Sequence, residues 1–147
     1  MIIMRNNNKK IGEIGERIAI GELSKYGLDI ILPMGDNLPF DFIVYKDNKL
    51  YKCQVKSTSI KDECNAFQFN LITTNWYSRK EYMYTKDDVD VIICCDLNTI
   101  YLFKFSELEG RKSISIRVDT PKQNQTKGIN FAKDYIISEE RINEVFS

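Results

Sequence analysis

The sequence predicts an α/β domain in which strands lie between helices, and three observations lead there. Residues Lys10 to Tyr26 set Ile11, Ile14, Ile18, Ala19, Leu23 and Tyr26 mostly on one side at a 3.6-residue spacing, which is the pattern of an amphipathic helix. Short apolar or alternating runs, the mark of strands, then follow one another through Val118. Ser138 finally stands as an N-cap before a short closing helix through Phe146, with Glu139 and Glu140 in its first turn. At 147 residues, 43% of them hydrophobic, the chain is long enough to bury its own core, and one domain over residues 1–147 is expected.

The elements follow in order. Gly27 supplies the stop for the first helix. Asp29 to Leu32 reads as a short strand, Pro33 to Pro39 as a polar turn region, Phe40 to Tyr45 as a second strand and Lys49 to Lys56 as a third. Asp47-Asn48 between the last two predicts a two-residue hairpin, because both residues tolerate positive φ. Ala66 to Thr73 alternates, Val89 to Cys95 is a continuous apolar run, Ile100 to Phe105 is another strand and Ser113 to Val118 alternates again. Asp119 to Gly128 is polar, carries Pro121 and reads as an exposed loop, and Ile129 to Ile136 reads as a helical turn.

Composition removes several chemistries. There is no histidine, so serine triads, Cys-His proteases and His-containing metal sites are excluded. The four cysteines (Cys53, Cys64, Cys94, Cys95) form no C-x-x-C pair, and three lie in apolar runs as small hydrophobes, which favours a reduced, cytoplasmic setting. No 18-residue apolar run exists, so no membrane partner is expected. Lys plus Arg and Asp plus Glu are 21 each, yet the charge is unevenly spread. Between Arg111 and Lys133 stand six bases (Arg111, Lys112, Arg117, Lys122, Lys127, Lys133) and one acid, Asp119. That segment is the candidate surface for a polyanion.

With a two-residue turn at Asp47-Asn48, residues facing each other across the hairpin have numbers adding to 95, so Asp41 faces Gln54. Lys56, two residues further, shares that face, which reads as an open polar one. Glu16 sits at the edge of the apolar side of the first helix and can point toward the sheet, with the small residues Gly12 and Ala19 allowing close approach. Hard oxygen ligands from Asp41, Gln54 and Glu16 suit Mg²⁺, and an ammonium at Lys56 suits a phosphate beside it. Glu13 competes with Glu16 but lies further from the apolar side.

These residues resemble the PD-(D/E)XK nuclease superfamily: Glu16 in the first helix, Pro39-Phe40-Asp41 at the second strand and Gln54-Val55-Lys56 on the third. Gly12-Glu13-Ile14-Gly15-Glu16, Gln54-Val55-Lys56-Ser57, Asp88-Val89-Asp90, Tyr101-Leu102 and Arg117-Val118-Asp119 with Pro121-Lys122 and Gln125 are similar to the small group I intron-associated homing endonucleases within it, which carry Gln in the third-strand position. The resemblance implies a restriction-endonuclease-like core with a mixed central sheet flanked by helices. It also implies a Mg²⁺-dependent, site-specific endonuclease hydrolysing phosphodiester bonds of double-stranded DNA, with Glu16, Asp41, Gln54 and Lys56 as its site. A double-strand cut needs two sites, so a homo-oligomer is expected, a dimer or, by the same resemblance, a tetramer.

Arg111, Lys112, Arg117, Lys122 and Lys127 are the expected phosphate contacts, and Asn124 and Gln125 carry amides suited to base edges. Two other readings stay open: a junction-resolvase-like nuclease selective for DNA structure, and a DNA-binding module without catalysis. The aspartates Asp87, Asp88 and Asp90 read as a solvated turn, and Trp76, Tyr77, Tyr82 and Tyr84 mostly as core and interface.

Overall fold

The computed structural model describes residues 8–74, 78–119 and 128–147. The elements are α1 (Asn8–Lys25), β1 (Asp29–Ile31), β2 (Phe42–Lys46), β3 (Lys49–Ser57), β4 (Ala66–Asn70), β5 (Ile72–Thr74), β6 (Glu81–Met83), β7 (Val91–Cys95), β8 (Ile100–Lys104), α2 (Phe105–Leu108), β9 (Ser113–Arg117), β10 (Asn130–Phe131), α3 (Ala132–Tyr135) and α4 (Glu139–Val145). Helix α1 ends in a Schellman motif: Gly27 takes φ 79°, its N–H bonds the Ser24 carbonyl, and Leu28 N–H reaches back to Leu23. At the other end of the chain, Ser138 Oγ accepts from Arg141 N–H at 3.0 Å and starts α4.

The central sheet is mixed, in the order β1-β2-β3-β7-β8. Strands β1, β2 and β3 form an antiparallel meander, β3 runs parallel to β7, and β7 and β8 pair antiparallel. Between β2 and β3, Asp47 and Asn48 take φ of 53° and 64°, the left-handed pair that a two-residue hairpin of matching twist requires. One face of the sheet packs Phe42, Val44, Cys53, Val55, Val91 and Ile93 against Ala19 and Leu23 of α1 and Ile142, Val145 and Phe146 near the C-terminus. The other packs Ile92, Cys94 and Phe103 against Phe67, Phe69, Ile114 and Ile116 of a second, three-stranded sheet in the order β10-β9-β4. Both faces being covered explains why Val91 to Cys95 is apolar without alternation.

Three expectations are corrected here. The alternating run Ala66 to Thr73 is not one strand. Leu71 N–H carries the pairing with β9 one step further, to the Lys112 carbonyl; Asn70 Oδ1 then accepts from Ile72 N–H at 3.1 Å, and β5 leaves to pair with β6. Residues 129–136 hold a short parallel strand before a single helical turn, because Asn130 and Phe131 extend the edge of β9. Phe105 begins α2 instead of ending β8, with Lys104 N–H bonded to the Glu107 carboxylate at 2.8 Å.

Candidate active site

The β2–β3 ladder keeps the expected register from Lys46↔Lys49 to Phe42↔Cys53. It then breaks at Asp41. The Asp41 N–H donates to the Cys53 carbonyl at 2.8 Å, and its carboxylate takes the place of a backbone acceptor for Val55 N–H, also at 2.8 Å. The carboxyl group is thereby locked in orientation at the end of a strand, where Pro39 and Phe40 lead the chain away.

Alternation along β3 then sorts the other groups. Cys53, Val55 and Ser57 face α1, so Gln54 and Lys56 face the opposite side of the sheet. Glu16, carried by α1, approaches from the first side. The two sides meet at Asp41, which lines both of the clefts found here. One, of about 620 Å³, is bordered by Asp41, Gln54, Thr73, Tyr82, Tyr84 and Asp88. The other, of about 260 Å³, is bordered by Glu16, Pro33, Asp36, Phe40 and Asp41. Leu38 belongs to both. Of the two small residues expected to allow close helix approach, Ala19 is fully buried against the sheet and Gly12 has open space at its Cβ position; the tightest crossing is at Gly15, where a Cβ atom would meet Ser57.

Burial raises the pKa of Asp41 above the usual carboxylate range, partly offset by the Val55 N–H and by Lys56. It raises that of Glu16 too, with the Asp41 charge adding to the effect. Lys56 is pushed the other way, its ammonium disfavoured by desolvation and partly held by Asp41. It does not stand on an open polar face. Its Nζ donates to the Ile72 carbonyl at 3.3 Å and lies 4.9 Å from the centre of the Tyr84 ring, so the β5–β6 hairpin and Tyr84 cover it. Tyr84 packs against the second core cluster, within the core-and-interface expectation, and is at the same time a wall of the cleft, for which no local pattern gives a sign.

Two desolvated carboxylates, with the Asp41 charge adding to the rise at Glu16, form a site that a cation relieves. Among the described residues no group of three or more Cys, Asp or Glu could hold a metal ion, so a third protein ligand has to be neutral. Gln54 meets that requirement: its Nε2 donates to the Val55 carbonyl at 3.4 Å, which leaves the amide oxygen as the end available to the cleft. The donor set of Glu16, Asp41 and Gln54 is all oxygen and fits a hard divalent ion such as Mg²⁺.

The neighbouring aspartates do structural work. Asp88 Oδ2 accepts from Thr85 N–H and Oγ1, and Asp90 accepts from Lys52 N–H at 2.8 Å. Of the basic segment, Arg111 and Lys112 are exposed, and Arg111 borders a recess shared with Met83 and Tyr84 of the larger cleft. Arg117 ends β9 with Nε bonded to the Asp119 carbonyl at 3.2 Å. Lys122, Asn124, Gln125 and Lys127 lie outside the described residues, as do Trp76 and Tyr77.

A family profile described as PD-(D/E)XK endonuclease matches residues 6–138, a span that contains Glu16, Asp41, Gln54 and Lys56. The chain belongs to the PD-(D/E)XK endonuclease family. Among solved structures, the bacterial homing endonuclease I-Ssp6803I is similar in fold to this endonuclease, with a TM-score of 0.68 over 87% of each chain at 22% sequence identity. No curated protein matches the endonuclease significantly. Among its described residues, no helix is long and apolar enough to cross a membrane.

Proposed function

We propose that this chain is a Mg²⁺-dependent, site-specific endonuclease of double-stranded DNA, of the homing type, with Glu16, Asp41 and Gln54 as metal ligands and Lys56 as the cationic group at the scissile phosphate. One observation carries the reading: Asp41, locked by Val55, is the point at which Glu16 and the Gln54–Lys56 pair arrive from opposite sides of the sheet. A bound Mg²⁺ supplies Lewis-acid stabilisation of the charge that develops on the phosphoryl group. Asp41 and Glu16 hold negative charge at the strand end, and the Val55 N–H keeps the Asp41 carboxyl from turning. Lys56, pulled off the Ile72 carbonyl by a phosphate, donates to the developing oxyanion in a site already short of water.

The unit is read as a single nuclease domain over residues 1–147, acting as a homo-oligomer in the cytoplasm because one chain carries one site. Incubation with a randomised duplex library and Mg²⁺, followed by sequencing of the cut ends, tests the reading. A shared motif at the ends supports it; cleavage of four-way junctions alone points to the resolvase type, and no cleavage of any DNA leaves a binding module.

Gln54→Glu is expected to keep or strengthen metal binding and to weaken DNA binding through added repulsion of phosphate. A Mn²⁺ titration and a DNA-binding isotherm on the same variant separate the two effects. Segment 111–133 is assigned to DNA contact through Arg111, Lys112, Arg117, Lys122 and Lys127, with Asn124 and Gln125 toward base edges. Replacing Lys122 and Lys127 with Ala is expected to weaken all duplexes alike and to reduce the salt slope by about one unit per lost phosphate contact. An unchanged slope would place the DNA elsewhere.

A further inference from the structure

Helix α1 contains three glycines, Gly12, Gly15 and Gly21, although glycine is the residue, proline apart, that disfavours a helix interior most. Their surroundings differ sharply. A Cβ at Gly12 or Gly21 would have no atom within 4 Å, whereas at Gly15 it would lie 1.8 Å from Ser57 Oγ and 2.8 Å from Ser57 Cβ. Rotating the serine hydroxyl relieves the first contact. It cannot relieve the second, because Cβ moves only with the β3 backbone. Helix and strand therefore cross here with no side chain on the helix between them, and Cys95 of the neighbouring strand stands 3.6 Å from the same point. Ser57 Oγ is buried there with no hydrogen-bond partner among the described residues, a cost accepted at the crossing.

The crossing lies one residue from the site on both elements. Gly15 precedes Glu16 on α1, and Ser57 follows Lys56 on β3. We infer that Gly15 is a positioning residue for metal binding: its missing side chain sets the distance between α1 and β3 at which the Glu16 carboxylate reaches the cleft that Asp41 lines. This rests on the reading of Glu16 as a metal ligand, and the experiment keeps the two apart.

The test is a Mn²⁺ titration of the full chain, followed by calorimetry or by the loss of the free-ion resonance signal, alongside a thermal melt. Gly15→Ala is expected to weaken Mn²⁺ binding about tenfold, the scale of disturbing the support of a metal ligand. Gly12→Ala and Gly21→Ala, with open space at their Cβ positions, are expected to bind as the parent does and to melt higher. In the Gly15→Ala background, Ser57→Ala is expected to restore little and Ser57→Gly to restore most of the affinity, since only the second removes the Cβ that blocks the helix. Parent-like affinity in Gly15→Ala would overturn the proposal, as would equal rescue by both serine variants. Glu16→Gln serves as the separate control: parent-like affinity there sinks the ligand reading itself, while loss there with none in Gly15→Ala sinks only the positioning role. Should Gly15→Ala not fold, parent-like affinity in the folded Gly15→Ala/Ser57→Gly protein supports the proposal and weakened affinity overturns it.

Discussion

Asp41→Asn is expected to abolish DNA cleavage and, in metal-free buffer, to make the protein more stable. The two effects have one origin. The Asp41 carboxyl is desolvated, and its charged form is disfavoured. A carboxyl whose pKa is raised in the folded state contributes stability that is fully present below its unfolded pKa and is lost as pH rises through the raised value. At neutral pH the parent therefore carries a standing penalty that the neutral amide removes, while the amide oxygen can still accept from Val55 N–H. The gain reads out as a higher Tm at neutral pH.

The difference in Tm between variant and parent should grow from acid to neutral pH and shrink again when a saturating divalent cation restores the parent. Cleavage should fall by about three orders of magnitude or more, because the group that holds the metal is gone. Thermal melts across pH with and without Mg²⁺ check the first part. A plasmid cleavage assay checks the second. A variant that melts lower than the parent at neutral pH in metal-free buffer would show that Asp41 is a structural acid of the strand end.

Lys56→Met carries the second large effect. Its ammonium is disfavoured by burial and is met by a carbonyl and a ring face, so at neutral pH its charge is another cost of the site. The sign follows from the lowered pKa: the contribution is present above the unfolded lysine value and is lost as pH falls through the folded one. Methionine is unbranched and one atom shorter, so it fills most of the space beneath Tyr84 without a charge, and the variant should melt no lower than the parent. Turnover should fall by about two to three orders of magnitude, the scale of one positioned electrostatic group. Lys56→Arg should rescue poorly, since a planar guanidinium does not fit the space of a compact ammonium under the β5–β6 hairpin. Single-turnover cleavage at saturating Mg²⁺ is the measurement, and parent-like rates in Lys56→Met would remove the lysine from the chemistry.

What could be read in the chain itself was local. Asp47-Asn48 predicted the hairpin, because a positive φ at both positions is a property of those residues, and that turn alone sets the pairing of Phe42 with Cys53. The stop at Gly27 and the start at Ser138 likewise follow from backbone groups within a few residues of each. The approach of Asp41 to Gln54 was legible for the same reason, being counted from the turn. Its final hydrogen bonds were not, because the ladder slips where Phe40 leaves the sheet, and nothing in an alternating pattern marks that place.

Long-range partnering was decided only in three dimensions. The run from Ala66 to Thr73 has one period, yet its two halves join different sheets: pairing with β9 ends at the bond from Leu71 N–H to Lys112, some forty residues later, and Ile72 turns to Asn70 Oδ1 and leads into pairing with β6. The same bend brings Ile72 and Tyr84 over Lys56 and turns an expected open face into a desolvated one. Gly12 and Gly15 look alike in the sequence, and only the crossing of α1 over Ser57 tells them apart. Arg141 is mostly buried, with its guanidinium bonded to the Leu102 carbonyl and to Glu107 and Glu144, and its spacing to Leu102 and Glu107 carries no signal. Residue type and short-range geometry determine which elements form and which side chains each one offers. The depth at which those side chains sit, and so the pKa values on which the site depends, is set by whatever distant segment comes to cover them.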